Sequence, residues 1–287
     1  MNIQPWLLAS RPKTLSAAVV PVLIGTSMSP RPIVWYAFFF ALFGAIFIQI
    51  GTNFVNDALD FKRGADTAER LGPMRVTQAG LVSAEGVLRA AYACFGLAAL
   101  CGVPLILRGG WPLVAIGVTS IVAAYAYTGG PYPLAYNGLG DLFVVVFFGF
   151  VAVGGSYYLQ TLEMTTAVLL AGFAAGSLAT VLLAINNLRD VSGDRTVKKR
   201  TMAVRFGERF ARLEIALFAL VPFAATALIA SMRGRLGMLL PCIVLPLAIL
   251  LIVRVARSSG AALNRCLAMA GGLQWLFGVL FVVGTRL

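Results

Sequence analysis

Five of the six aspartates in this 287-residue chain lie in two short polar clusters. The first cluster contains Asn53, Asn56, Asp57, Asp60 and Asp66, and the second contains Asn186, Asn187, Asp190 and Asp194. Acidic residues are otherwise scarce, with 11 Asp plus Glu in the whole chain. Carboxylates beside long apolar segments are costly in a membrane and by default mark a functional site. The two clusters are therefore the first candidates for chemistry.

The spacing within each cluster predicts a polar stripe on one helix. At about 100° per residue, Asn53, Asn56 and Asp60 fall within about 60° of each other, and Gln49 joins them one turn earlier. Asp57 lies off this stripe. In the second cluster, Asn186, Asp190 and Asp194 follow one another along one face, and the motif Asn-x-x-x-Asp occurs in both clusters.

Carboxylate and amide oxygens at this spacing are suitable ligands for Mg²⁺, which usually completes its shell with water and phosphate oxygens. The chain has no histidine, and none of its four cysteines forms a Cys-x-x-Cys pair. A zinc site, a haem bound by histidine and a histidine general base are therefore excluded.

Cations follow both clusters, and Arg75, Lys198 and Arg200 are the candidates for binding a diphosphate. An alternative is that these cations only orient the chain in the membrane. Helix capping is a similar alternative for Asp57 and for Asp141.

Composition identifies an all-α integral membrane protein. The chain is 60% apolar and 12% charged, with a mean hydropathy of +0.89, whereas soluble domains carry about 25% charged residues. Nine apolar segments are long enough to cross a bilayer. They lie near residues 14–29, 33–56, 87–107, 111–128, 138–160, 165–187, 213–231, 237–254 and 265–284. We expect one domain over residues 1–287, a bundle of nine transmembrane helices around a central cavity.

The distribution of lysine and arginine predicts the orientation. With a cytoplasmic N-terminus, 18 of the 23 cations fall on the inner side and five on the outer side, as the positive-inside rule requires. This topology explains the net charge of +12 without a nucleic-acid partner. It places both clusters, and the opening of the cavity, at the cytoplasmic face of the inner (plasma) membrane.

At these residues the chain resembles the UbiA superfamily of membrane aromatic prenyltransferases. That family carries Asn-x-x-x-Asp with a further aspartate on its second helix, matched by Asn56, Asp60 and Asp66. It carries Asp-x-x-x-Asp on its sixth helix, matched by Asp190 and Asp194. Segments such as Arg11-Pro-Lys-Thr14 and Asn187-Leu-Arg-Asp190 are similar to the branch that acts on 1,4-dihydroxy-2-naphthoate in menaquinone biosynthesis.

The resemblance implies a reaction and roles for these residues. A polyprenyl diphosphate and Mg²⁺ bind between the motifs, with Asn56, Asp60, Asp66, Asp190 and Asp194 as metal ligands. The expected diphosphate contacts are Arg75, Lys198, Arg200, Asn53 and Asn187. The prenyl group replaces the carboxylate of the naphthoate, and CO₂ and diphosphate leave.

Other members of the superfamily use a tyrosine, often followed by a lysine, between the fourth and fifth helices. Tyr127 and Tyr132 are the candidates in this chain, together with Asp60 and Asp190, for catalytic roles, but no lysine follows Tyr127 before Asp141. Another acceptor, such as 4-hydroxybenzoate, homogentisate or a chlorophyll- or haem-type ring, is an alternative. A secondary transporter is an alternative from a different class, because intramembrane acids also mark ion paths.

Overall fold

The computed structural model describes residues 3–66 and 71–287, and every regular element in these ranges is helical. The α-helices in chain order are α1 (Gln4–Ser10), α2 (Ser16–Ser27), α3 (Trp35–Lys62), α4 (Ala84–Gly109), α5 (Trp111–Ala126), α6 (Gly140–Val144), α7 (Ala152–Thr161), α8 (Thr166–Arg189), α9 (Val191–Thr196), α10 (Met202–Arg233), α11 (Leu245–Arg257) and α12 (Leu263–Gly284). A π-helical segment, Val145–Val151, joins α6 to α7. Short 3₁₀ segments lie at Pro12–Thr14, Leu134–Asn137, Leu236–Val244 and Gly260–Ala262.

Seven helical segments in the described ranges are long and apolar enough to cross a membrane. An eighth results if α1 and α2 count as one span, although they meet at an angle of 50°. Helix α5 has 16 residues and is shorter than the roughly 20 residues that a span needs. The predicted all-helical membrane architecture is confirmed, and the number nine stays a prediction.

The bend between α1 and α2 follows from local sequence. Arg11 ends α1 in a left-handed conformation with φ of 50°, and Pro12 cannot donate the next helical hydrogen bond. A short 3₁₀ turn then leads into α2. This bend brings the backbone of residues 10–14 against α3, where it contributes to the site described below.

Helix α3 extends six residues beyond the predicted apolar segment, and this extension carries Asp57 and Asp60 of the first cluster. It ends at Lys62, and Gly64 follows with φ of 70°, a conformation that glycine adopts without steric cost. Helix α4 begins after Ser83, whose hydroxyl accepts a hydrogen bond from the Gly86 amide at 3.2 Å. Residues 63–66 and 71–83 therefore lie outside the helices, on the same side of the bundle as Asp60.

The largest buried apolar cluster unites α2, α8, α10, α11 and α12, with Leu178, Ile215 and Phe277 at its centre. Helix α8 passes very close to the π-helical segment: a Cβ on Gly149 would lie 2.4 Å from the Gly172 carbonyl oxygen. Small residues allow such close helix contacts in membranes. A second cluster, including Phe54 and Val87, joins α3 to α4. The space between these two clusters is the cavity.

Candidate functional site

The helices surround a cavity of about 1270 Å³ whose two ends differ in polarity. One end is lined by polar side chains, among them Asn53, Asp60 and Asn187. The other end is lined by apolar side chains, among them Leu105 and Leu159. Along α3 the lining runs from Phe40 to Asp60, which is about 30 Å at 1.5 Å per residue. The cavity can therefore hold a long apolar chain with a polar group at one end.

The predicted stripe on α3 faces the polar end of the cavity. Asn53, Asn56 and Asp60 all line it. The Asn53 amide donates to the Ser10 carbonyl at 2.9 Å and to the Thr14 hydroxyl at 3.2 Å, so the bend after α1 is fixed against this stripe. The amide oxygen of Asn56 accepts a hydrogen bond from the Thr128 hydroxyl.

Arg75 joins two of the predicted metal ligands. Its Nε lies 3.2 Å from Asp66 Oδ2 and its Nη2 lies 3.6 Å from Asp60 Oδ2, with all three side chains at most 10% exposed. Tyr136 donates a hydrogen bond of 2.8 Å from its hydroxyl to Asp60 Oδ1. Burial, followed by the Asp60 carboxylate, raises the pKa of Tyr136, so this phenol stays a hydrogen-bond donor.

Asp57 points away from the cavity, as its off-stripe position predicts. Its carboxylate accepts hydrogen bonds from the backbone amides of Val76 at 3.2 Å and Thr77 at 2.9 Å, and the residue is 1% exposed. Asp57 therefore holds the loop that carries Arg75.

The second motif is built differently from the single helical stripe that we expected. Helix α8 ends at Arg189 and α9 begins at Val191, with Asp190 at the break between them (φ −95°, ψ 8°). Asn187 lines the cavity, whereas Asp190 and Asp194 lie beside it. Asp190 accepts two hydrogen bonds from the Arg189 guanidinium, at 2.7 and 2.6 Å.

The Asp194 carboxylate is only partly compensated by protein partners. Its Oδ1 lies 3.5 Å from Lys199 Nζ, but its buried Oδ2 accepts no hydrogen bond. Burial raises the pKa of the Asp194 carboxyl to about 6, Lys199 opposes this shift, and the carboxylates of Asp190 and Asp60 add to it. Negatively charged carboxylates from both motifs therefore help to raise the pKa of Asp194.

The donor chemistry of the polar end fits a hard divalent cation. It consists of carboxylate and amide oxygens, and the buried Asp194 Oδ2 has room for a further partner. Asp190 also keeps acceptor capacity, because each carboxylate oxygen has two lone pairs. In the described part of the chain, no three acidic or cysteine side chains already form a metal-binding group.

Six predicted residues are not part of the cavity lining: Asp66, Asp190 and Asp194, whose cationic partners line it, and Tyr132, Lys198 and Arg200, which point elsewhere. Tyr132 is 60% exposed, and the side chains of Lys198 and Arg200 are also exposed. The adjacent Lys199 lines the cavity instead. Lys198 has a left-handed backbone with φ of 58°, so neighbouring lysines diverge at this turn. Tyr127 does line the cavity, and Arg75 reaches it as predicted.

Sequence reasoning missed four polar residues that contact the site. They are Thr128, Tyr136, Arg189 and Asn264. Tyr136 and Thr128 flank the segment Pro131-Tyr132-Pro133, which holds one of the two predicted tyrosines, so their position in that loop was a usable signal. Asn264 had one weaker signal, a polar side chain at the start of the last apolar segment.

Comparison with known proteins places these features in a family. The sequence model of the UbiA prenyltransferase family matches residues 18–283. The 1,4-dihydroxy-2-naphthoate octaprenyltransferase of Mycobacterium tuberculosis is 40% identical over 210 residues, 72% of each chain. The protein of the same name from Escherichia coli is 39% identical over 222 residues, covering 73% of this chain and 70% of the relative.

The fold also matches solved structures. A UbiA homolog from Archaeoglobus fulgidus, solved with DMAPP and Mg²⁺, superposes with a TM-score of 0.69. The match covers 98% of this chain and 99% of that one at 16% identity.

Proposed function

This chain belongs to the UbiA prenyltransferase family and is an aromatic prenyltransferase, and we propose that it acts on 1,4-dihydroxy-2-naphthoate. The prenyl donor is a polyprenyl diphosphate, and the products are demethylmenaquinol, CO₂ and diphosphate. The observation that carries the proposal is the cavity itself. Asp60, Arg75 and Lys199 line its polar end, and the cavity continues from there to an apolar end, over about 30 Å in all along α3.

The residues at the polar end divide into two functions. Asn56, Asp60, Asp66, Asp190 and Asp194 are the oxygen donors for Mg²⁺, which when bound neutralises charge on the diphosphate. The cations that reach this end of the cavity, Arg75 and Lys199, would stabilise the negative charge that develops on the leaving diphosphate. Asn187 lines the same end and offers amide donors to its oxygens. Asn53 also lines this end, but its amide group already donates to the Ser10 carbonyl and the Thr14 hydroxyl, so it would act by holding the bend after α1 rather than by binding the diphosphate.

The proposed step breaks the bond between C1 of the prenyl chain and the diphosphate oxygen, which keeps the electron pair. The naphthoate ring carbon that bears the carboxylate forms the new bond to C1. The bond to the carboxylate then breaks and returns its electron pair to the ring as CO₂ leaves. No base is needed at that carbon. Tyr127 lines the cavity and can face the positive charge that develops at C1.

We further propose that the polar end faces the cytoplasm, in the inner (plasma) membrane with the N-terminus inside. The positive-inside distribution supports this orientation. A diphosphate and a charged aromatic acid both reach the cavity from water on that side, while the prenyl chain and the product partition into the bilayer.

The decisive experiment is turnover by the purified protein in detergent or lipid. Mg²⁺ and an all-trans polyprenyl diphosphate are supplied with 1,4-dihydroxy-2-naphthoate, 4-hydroxybenzoate or homogentisate, and products are read by mass spectrometry. We expect a prenylated naphthalenediol that has lost the carboxylate mass, and no product in EDTA. Product from another acceptor alone would reassign the substrate. Absence of any product from folded protein would remove the enzymatic proposal.

A further inference from the structure

Arg189 is the largest fully buried side chain of the described residues. Its Nε and Nη2 donate to the two oxygens of Asp190, Nη2 also donates to Asn186 Oδ1 at 2.6 Å, and Nη1 donates to Asn264 Oδ1 at 2.8 Å. A guanidinium has five N–H donors, and four are used here. Although Arg189 lines the cavity, it is therefore committed to protein partners and has little capacity left for a diphosphate.

Asn264, at the start of α12, uses both ends of its amide. Its oxygen accepts from Arg189, and its Nδ2 donates to the Leu71 carbonyl oxygen at 2.8 Å. Gly72, the residue after Leu71, packs directly on the Arg189 guanidinium. A Cβ atom at position 72 would lie only 2.6 Å from Arg189 Nη2. One amide thus connects the end of α8 to the loop after α3.

The loop held by Asn264 carries Arg75. Leu71 is fixed at one end by Asn264, and Val76 and Thr77 are fixed at the other end by Asp57. Arg75 lies between these two anchors and reaches both acids of the first motif. Losing one anchor would let the Arg75 guanidinium move away from the cavity without unfolding a helix.

From this geometry we infer that Asn264 is a positioning residue for diphosphate binding. Its two hydrogen bonds connect the loop that carries Arg75 to the Arg189–Asp190 pair. The identity of the substrate in this inference rests on the proposed function. The positioning role itself rests on the hydrogen bonds of Asn264. Asn264 lines the cavity, but its amide oxygen and its amide nitrogen are already bonded to Arg189 and Leu71. Its loss should therefore weaken binding of the prenyl diphosphate and leave the binding of the aromatic acceptor nearly unchanged.

The test compares two variants of Asn264 with a neighbour. Asn264→Ala removes both hydrogen bonds, whereas Asn264→Asp keeps an acceptor for Arg189 and loses the donor to Leu71. Arg265→Ala is the control, because Arg265 is exposed and has no contact with the loop among those described. We expect about a tenfold rise in KM for the prenyl diphosphate in both Asn264 variants, which corresponds to about 1.4 kcal/mol. The acceptor KM should change less than about threefold on the same scale.

Amide hydrogen exchange gives a readout that is independent of turnover. The amides of Ala79, Gly80 and Leu81 donate to backbone carbonyls of the loop at 3.0–3.1 Å, so they report on its order. We expect faster exchange at these amides in both Asn264 variants than in Arg265→Ala and the unaltered protein. Wild-type-like exchange and an unchanged diphosphate KM in Asn264→Ala would overturn the inference. If the unaltered protein forms no product at all, the proposed function fails, and the exchange result still decides whether Asn264 anchors the loop.

Discussion

The apolar end of the cavity is bordered by a compact group of side chains from four helices, and we expect this group to limit the length of the prenyl chain. Leu105, Leu113 and Leu159 are each less than 10% exposed and form a small cluster with Ala37. All three leucines also line the cavity. Arg108 donates to the carbonyls of Leu159 and Gln160 just beyond them. Leu105→Ala should therefore deepen the channel at its blind end.

The size of the effect follows from the carbons removed. Leu105→Ala deletes three carbons, a little over half of one five-carbon isoprene unit. Discrimination by one methylene in an apolar pocket is worth about 1–3 kcal/mol. We take the lower end, because neighbouring side chains relax into part of the space. The ratio of kcat/KM for a chain one isoprene longer over the preferred chain should rise about tenfold, or about 1.4 kcal/mol.

The assay is a competition between polyprenyl diphosphates of successive lengths, with products separated by mass. Leu107→Ala is the matched control, since Leu107 is the same residue type on the same helix but is 85% exposed and does not line the cavity. The control should keep the original preference. An unchanged ratio in Leu105→Ala, with normal turnover of the preferred chain, would mean that the chain leaves the cavity sideways and never reaches this cluster.

Three further predictions concern the polar end. Asp60→Asn should lower turnover at least about a hundredfold, by the loss of one charged group at a transition state, while membrane insertion stays normal; near-normal product formation would contradict the metal assignment. Because the pKa of Asp194 is raised to about 6 and a metal ligand must be ionised, the apparent affinity for Mg²⁺ should fall as pH decreases through 6. In Asp194→Asn, measured by Mg²⁺ titration of turnover or of inorganic diphosphate binding, that fall should disappear, and a persisting fall would assign it to another group. Asp57→Asn replaces the charged acceptor of two hydrogen bonds and should lower the free energy of unfolding by about 2 kcal/mol. The thermal midpoint should therefore fall while turnover is retained. Abolished turnover at an unchanged midpoint would instead make Asp57 a metal ligand.

The parts of the site that lie within one helix were predictable from sequence. Helical geometry fixes the angles between Asn53, Asn56 and Asp60, so their common face, and the exclusion of Asp57 from it, follow from spacing alone. The same argument was wrong beyond Arg189, because α8 breaks at Asp190. An apolar segment predicts that a helix exists more reliably than it predicts where the helix ends.

Contacts between distant segments were not predictable in this way. Tyr136 meets Asp60 across 76 positions of sequence, and Asn264 meets Arg189 across 75. Spacing rules carry no information about such pairs. The choice between Lys198 and Lys199 failed for a local reason, since a left-handed residue at 198 sends the two side chains in different directions.

The pairing of charges at the polar end explains how so many carboxylates are tolerated there. Asp60 and Asp66 share Arg75, Asp190 is paired with Arg189, and Asp194 with Lys199. Each acid thus has a cation from its own half of the chain, which offsets the cost of burying it. Mg²⁺ alone would compete with these cations for the carboxylates, and a diphosphate alone would compete with the carboxylates for the cations. When both arrive together, the carboxylates can turn to the metal and Arg75 and Lys199 to the diphosphate, so each group still has a partner of opposite charge. Each ligand should therefore bind more tightly in the presence of the other, as linkage requires, because the ion pairs of both motifs must open before either ligand can bind.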